Sequence, residues 1–333
     1  MAVSIKDVAA RAGVSTATVS HVLNQTRNTK PATRQRVLEA VAELGYSQNL
    51  SARNLAVGRS SLLGLILSDI RNPFFPEITS AFQDQALLHH MEALVLNTNY
   101  DTQRTLDSVK RLVGLQVPGV AVVTSQVDPS ISAMLQERKI AAVYLDLGRV
   151  DRYISNITVQ YEQGIAEALE HLASLGHRRI GFLGGPAHLP SSGRRKQAFL
   201  DSARQLGIEP CGPVTSDFTV KGGYYACSKL LSSSRPTAIV GGNDLTAIGA
   251  LHCAFDRGLR VPDELSVVGF DDITFAEYTQ PALTTVLIPR LDIGRTAFQA
   301  LWHMISSGDS EGREYPVATR LIVRQSTAPA PKP

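Results

Sequence analysis

The sequence predicts a small all-α head followed by an α/β core of two parallel-sheet subdomains. Three observations carry this reading. Residues 5–44 hold three helix-period apolar stripes separated by turn residues. From Ser61 onward, continuous apolar runs of strand length alternate with helical stretches. Eight or more such units are too many for one sheet, and 333 residues suffice for two or three compact domains. A composition of 44% apolar and 19% charged residues is that of an ordinary globular protein.

The net charge of +3 is unevenly placed. Residues 1–60 carry eight Lys or Arg against three Asp or Glu, while the remainder carries 25 against 27. A basic head on a near-neutral body suits a polyanionic partner. No stretch resembles an apolar span of about twenty residues. The N-terminus, MAVSIKDVAARAG, lacks the basic-then-apolar order of a secretory signal. A cytoplasmic protein without membrane association is therefore expected. Cys211, Cys227 and Cys253 show no Cys-x-x-Cys spacing, so reduced thiols are expected, with no disulfide framework, zinc site or cofactor.

Along the head, Ile5, Val8, Ala9 and Ala12 make one apolar helix face. Gly13 supplies the positive φ of a sharp turn, Val14 plugs the corner and Ser15 caps a second helix. Val19, Val22 and Leu23 give that helix its own stripe, and Ala9 is small where the two helices cross, with Val19 beneath it. These are the physical requirements of a helix-turn-helix. Thr16, Ala17, Ser20 and His21 then face outward, offering hydroxyls, a methyl and an imidazole to base edges. A third helix follows from Ala32 to Leu44, with Val37, Leu38, Val41 and Leu44 as its stripe and Gly45 as its stop. Thr33, Arg34 and Arg36 near its start suit phosphates.

The runs IKDVAARAGVSTATVSHVLN and TRQRVLEAVAELGYSQN resemble the DNA-binding head of the LacI/GalR family of bacterial transcription repressors, and LSARNLA (50–56) resembles that family's hinge helix. The resemblance implies a DNA-contact set of Ser15, Thr16, Ala17, Thr18, Ser20, His21, Asn24, Thr33, Arg34, Asn49, Ala52 and Leu55. Leu55 would wedge into the minor groove at the operator centre once the hinge orders on DNA. Composition alone shows there a polar, marginal helix with an isolated leucine. The expected organisation is a helix-turn-helix domain over 1–46, a hinge over 47–60 and a core over 61–333.

In the core, strands are expected at 62–68, 92–98, 119–125 and 141–146, and again at 179–185, 214–218, 238–243 and 266–272. Helices fall between them, at 75–90, 102–115 and 129–138, then at 161–175, 191–206, 220–233 and 244–257. Continuous apolar strands with helical crossovers mean parallel sheets covered on both faces. The break lies near ISNITVQY (154–161), and TTVLIP (284–289) carries the chain back toward the first subdomain and a helix over 290–306. Subdomain one is thus 61–160 plus 290–318, and subdomain two is 161–289 plus 319–327. Multiple crossing of this kind is shown by periplasmic binding proteins, and the family resemblance implies that fold, with two Rossmann-like subdomains.

Ligands of open α/β sheets sit beyond the carboxyl ends of strands, so the strand-end residues are the candidates. They are Asn72, Phe74 and Phe75 after the first strand, Asp146, Arg195, Phe218, Asn243, Asp244, Asp271 and Asp272, with Asp244 and Asp272 equally placed to cap helices instead. Aromatics beside carboxylates, an amide and an arginine make a polyol site. GGPAHLPSSGRRKQAF, GGNDLTAIGAL, VPDELSVVGFDD and PALTTV are family-like and in family order. The resemblance implies that Asp146, Arg195, Asn243 and Asp271 contact effector, with Phe74 and Phe218 stacking on it. Leu189 and Pro190 stand where purine-binding relatives place polar groups, which favours a sugar or sugar phosphate. The expected partners are a palindromic double-stranded operator, a small-molecule effector and a second copy of the chain. The proline-rich QSTAPAPKP tail cannot continue a leucine-heptad helix.

Two other readings compete. Tyr225-x-x-x-Lys229 has the spacing of short-chain dehydrogenases, but the turn SDIRNPFF after the first strand has no glycine to seat a pyrophosphate. A solute-binding protein of transport would need neither the head nor its charge.

Overall fold

The computed structural model describes residues 3–24, 27–46, 60–124 and 127–332. The chain forms two compact units, Met1–Ser60 and Ser61–Pro333. The first holds α1 (Ile5–Ala12), α2 (Thr16–Asn24) and α3 (Pro31–Leu44). Val8, Ala9, Ala12, Val19, Val22, Val37 and Ala40 bury into its core, with Val14 against them. Leu38, expected on the α3 stripe, is 42% exposed. At about 100° per residue, the face through Val37 continues at Ala40, Val41 and Leu44 and passes Leu38 by.

The second unit begins with β1 (Leu62–Leu67), α4 (Phe74–Leu88), β2 (Glu92–Asn97), α5 (Thr102–Gly114), β3 (Gly119–Val123), α6 (Pro129–Glu137), β4 (Ala141–Leu145) and β5 (Ile154–Gln160). It continues through α7 (Tyr161–Ser174), β6 (Arg179–Gly184), α8 (Pro190–Gln205), β7 (Glu209–Thr215), α9 (Val220–Ser233), β8 (Ala238–Gly241), α10 (Asp244–Asp256) and β9 (Ser266–Asp271). It closes with α11 (Phe275–Tyr278), β10 (Thr284–Leu287), α12 (Arg290–Ser306), β11 (Glu314–Ala318) and β12 (Arg320–Ile322). Two six-stranded sheets result, ordered β11-β5-β4-β3-β1-β2 and β12-β10-β9-β8-β6-β7. All pairings are parallel except β10 with β12. Each sheet centres one lobe. The chain passes between lobes from β5 to α7, from β10 to α12, which packs on α4 of the first lobe, and from β11 to β12.

Central strands such as β1 are buried almost throughout, which explains their unbroken apolar runs. The edge strand β7 departs from expectation. It spans Glu209–Thr215, not 214–218, and includes Pro210 and Pro213. Its single partner is β6, so the missing N–H groups are tolerated on the open edge. Phe218 consequently lies in the loop beyond the strand. Beyond β12, the proline-rich tail straps the second lobe. Ser326 is buried and accepts the Val267 N–H at 2.8 Å through its carbonyl, and the Ala330 N–H donates to the Leu175 carbonyl at 2.8 Å.

Helices α9 and α10 meet backbone to backbone. A Cβ on Gly249 would lie 2.1 Å from the Val220 carbonyl oxygen, and one on Gly223 would lie 2.3 Å from that of Thr246. Neither neighbour is a flexible side-chain tip. Gly249→Ala is expected to destabilise the core by about 1–3 kcal/mol, the usual range for overpacking. A thermal melt that matches the unmodified protein would contradict the contact. No helix among the described residues is long and apolar enough to cross a membrane.

Candidate functional site

The head presents α2 on a turn built by local chemistry. Gly13 (φ 64) closes α1 in the left-handed region, and the Val14 N–H donates to the Ala9 carbonyl at 3.0 Å. The Ser15 hydroxyl accepts the Thr18 N–H at 3.1 Å and lies 2.9 Å from the Thr18 hydroxyl, so it caps α2. An Arg11–Glu43 pair at 2.6 Å ties α1 to α3. Ser15, Thr16 and Ala17 are exposed, and Thr18, Ser20 and His21 are half-buried. Arg34 and Arg36 are exposed near the start of α3, with Thr33 half-buried. Asn24 ends α2, while Asn49, Ala52 and Leu55 lie outside the described residues.

In the second unit, one cleft gathers eight of the ten strand-end candidates, and Asp244 and Asp272 lie outside its lining. The cleft is lined by Asn72, Phe74, Phe75, Asp146, Arg195, Phe218, Asn243 and Asp271. Ser68, Tyr100, Thr124, Tyr161 and Ser191 also line it, beyond the residues named from sequence. Ser68 and Thr124 directly follow β1 and β3, so the strand-end rule that located Asn72 and Asp146 could have found them.

Arg195, in α8, is buried at the centre. Its Nη1 donates to the Gly242 carbonyl, and its Nη2 stands 3.5 Å from Asp271 Oδ1. The guanidinium carbon lies 4.5 Å from the Phe270 ring centroid, 4.8 Å from that of Tyr161 and 5.6 Å from that of Phe218. Burial disfavours its charge, but Asp271, Tyr161 and Asp146 outweigh burial and hold the pKa above its ordinary value. Burial pushes the Asp271 carboxyl up to about 6, against the pull of Arg195 and Arg290. Phe218 takes φ 64 and lays its ring on Gly185, where a Cβ would meet the ring at 2.0 Å.

Several candidates carry local duties. The Asn72 Oδ1 accepts the Phe74 N–H at 3.0 Å at the start of α4, where the Phe74 and Phe75 rings meet edge-on at 5.2 Å. Asn243, not Asp244, caps α10: its Oδ1 accepts the Thr246 N–H at 2.9 Å and its Nδ2 donates to the Phe218 carbonyl at 3.2 Å. Asp244 is fully buried, accepting the Ile273 N–H at 2.7 Å and the Thr285 hydroxyl at 2.5 Å. Burial and the nearby Asp271 raise its pKa well above the carboxylate range. Asp272 caps no helix either and pairs with Arg324 at 2.8 Å. The Asp146 carboxylate takes the Val159 N–H at 2.9 Å, the Tyr161 hydroxyl and Arg194 Nη1 at 3.1 Å. It therefore braces the two lobes at the β5–α7 crossing.

Polar atoms in the cleft are left over. Among the described residues, Ser68 Oγ, Thr124 Oγ1, Arg195 Nε, Asp271 Oδ1 and Asp272 Oδ1 are buried without a hydrogen-bond partner. Four of these five belong to cleft residues, and the fifth faces Arg324. Unsatisfied buried groups cost stability, so their concentration here marks a place where a ligand's own polar groups would complete the set.

The pattern of bacterial regulatory proteins of the lacI family matches residues 4–49, and that of a periplasmic binding protein-like domain matches residues 169–327. The chain is 33% identical to catabolite control protein A of Priestia megaterium over 98% of this chain and 100% of the relative. It is 35% identical to the transcriptional repressor PurR of Erwinia tasmaniensis over 98% of each. The lac repressor dimer bound to operator and the anti-inducer ONPF superposes with a TM-score of 0.88 at 27% identity, over 98% of this chain and 100% of that one. A complex of the transcriptional regulator CelR with cellobiose gives 0.74 at 28% identity, over 97% and 99%. With a helix-turn-helix head, a two-lobed core and relatives along its whole length, the chain belongs to the LacI family of bacterial transcriptional regulators.

Proposed function

We propose that this regulator is a cytoplasmic, non-enzymatic repressor that binds a palindromic operator as a homodimer and is controlled by a sugar or sugar derivative in the core cleft. The observation that carries the ligand reading is the set of four unsatisfied polar atoms on residues that line the cleft together with Phe74 and Phe218. A sugar matches such a lining, because its C–H faces stack on rings while its hydroxyls both donate and accept. The cellobiose complex at 28% identity and a LacI-family regulator from Enterococcus faecium with bound ribose at 26% support a sugar. The operator-bound lac repressor dimer supports DNA and a second copy as partners. Two heads would then reach successive major-groove half-sites, with Thr16, Ala17, Ser20 and His21 toward base edges and Arg34 toward phosphate. Asn24, Asn49 and Ala52 join them in the proposed contact set, with Leu55 as a minor-groove wedge.

The competing readings lose support. Tyr225 is 60% exposed on α9, and neither it nor Lys229 lines the cleft. PurR and the lac repressor, which match along the whole chain, are repressors, and none of the relatives named above is a transport protein.

The test is a labelled-operator binding assay on the full chain, with a sugar panel scored first by thermal shift. A ligand at about a hundred times its Kd adds about 2.7 kcal/mol to the folded state. The sugar that shifts the melt is expected to change operator affinity. Leu55→Ala is expected to weaken operator binding on the order of tenfold or more, with the thermal response to that sugar unchanged. Undiminished operator binding by this variant would remove the hinge contact.

A further inference from the structure

The charges around the cleft bear on which small molecules it can hold. Among the described residues, its lining contains one cation, Arg195, and two carboxylates, Asp146 and Asp271. The Arg195 charge is already answered by Asp271 at 3.5 Å. The arginines beside the lining are answered too. Arg194 pairs with Asp146 at 3.1 Å and Glu162 at 3.4 Å, Arg290 with Glu77 at 3.0 Å, and Arg71 with Asp69 at 2.9 Å. These four arginines stand against five carboxylates, so none is left to neutralise an anion.

Helix N-termini are the other usual source of anion binding, and those of α4 and α10 at the cleft are occupied by side chains, while α7 and α8 start without a side-chain cap. Asn72 accepts a backbone N–H at the start of α4 and Asn243 caps α10, while at α8 Pro190 removes one of the first-turn N–H groups. The free donors and acceptors are of another kind. Ser68 and Thr124 offer neutral hydroxyls, Arg195 Nε a single N–H, and Asp271 Oδ1 an acceptor. An alcohol can serve all four, because it accepts from Nε and donates to Oδ1. A carboxylate or the dianion of a phosphate ester has no O–H to donate to Asp271, and any phosphate would meet that carboxylate's charge inside a buried site.

We infer that the cleft selects uncharged polyhydroxylated ligands and excludes their phosphorylated and carboxylated counterparts. This rests on the reading of the cleft as the ligand site. It separates unmodified sugars from the sugar phosphates and acids that a cell makes from them.

The test pairs neutral compounds with charged counterparts on the full chain: D-ribose with ribose 5-phosphate, and D-glucose with glucose 6-phosphate and gluconate, with cellobiose as a further neutral probe. The expected result is binding of a neutral member, with its charged counterpart weaker by roughly a hundredfold or more. A phosphorylated or carboxylated member that binds as tightly as its neutral partner overturns the inference. If no compound binds, the sugar reading itself fails, and an inorganic phosphate titration still decides the charge argument. Phosphate is expected to leave the melting of the core of the unmodified chain unchanged. It is expected to stabilise the core of Asp271→Asn, where Arg195 is released, and to lose that effect in Arg195→Ala combined with Asp271→Asn. That double variant also controls for phosphate held by the head. Core stabilisation of the unmodified chain that Arg195→Ala abolishes overturns the inference, as does an Asp271→Asn variant indifferent to phosphate.

Discussion

Replacing Arg195 by alanine is expected to abolish the ligand response while leaving operator binding in place. The guanidinium holds the Gly242 carbonyl, faces Asp271 and fills the space between Tyr161, Phe218 and Phe270, so no neighbour can take over its position. A hydrogen bond to a charged group is worth about 1.5–3 kcal/mol, or about tenfold to a hundredfold in ligand affinity. Breaking a buried ion pair costs about 3–5 kcal/mol when the remaining charge stays ionised. Here the loss is smaller, because the Asp271 carboxyl already titrates near 6 and takes up a proton once its cation is gone. The core therefore melts lower but stays folded. The head is a separate compact unit with its own buried core, so its DNA affinity survives. Operator anisotropy with and without ligand measures both properties at once. A variant that still responds at the original ligand concentration would place the site elsewhere.

The positions of Arg195 and its neighbours were legible because parallel sheets announce themselves. Strands such as β1 and β3 are buried on both faces and read as unbroken apolar runs, and the residues that follow them lie by topology at the cleft. That reasoning reached Asn72, Asp146, Asn243 and Asp271 from the sequence alone. It could not reach Tyr100 or Tyr161. Tyr100 turns into the cleft through a left-handed φ of 59, with Asn99 before it at 54, and no spacing rule signals such a turn. Tyr161 opens the helix by which the chain changes lobes, and its hydroxyl is taken by Asp146, fifteen residues back. The division of labour among carboxylates was equally hidden. Asp146 braces Arg194, Asp244 lies beneath the site on Thr285, and Asp271 alone has an oxygen left without a hydrogen-bond partner facing Arg195. These roles depend on contacts between distant segments, which one sequence does not encode as a pattern. Edge strand β7 was misplaced for the opposite reason. An edge needs no apolar run and accepts proline, so Pro210 and Pro213 disguised it.

Asp271 also predicts how the protein answers to pH. Its pKa is raised from 3.8 to about 6 in the folded chain, mainly by burial. Between those values the folded state holds a proton that the unfolded chain has released, so the contribution of this carboxyl to stability grows as pH falls through about 6 and is complete near 3.8. At neutral pH the buried charge costs roughly 3 kcal/mol, the free energy of about two pKa units. Asp271→Asn removes the titration. The melting temperature of the unmodified protein, relative to that of Asp271→Asn, is expected to climb by several degrees as pH is lowered across this window. Asp146, raised in the same direction by burial, is present in both proteins and cancels in the difference, whereas Asp244, which Asp271 helps to raise, moves back toward the ordinary carboxylate range in Asp271→Asn. Ligand binding moves the opposite way. An alcohol that donates to Oδ1 is held more strongly by the ionised carboxylate than by the neutral carboxyl, so affinity is expected to hold above about 6 and fall by up to about tenfold per pH unit below it. A pH-independent difference between the two melts would mean that Asp271 is not the group that titrates. Ligand affinity that stays constant as pH falls below 6 would mean that the carboxylate does not accept a hydrogen bond from the ligand.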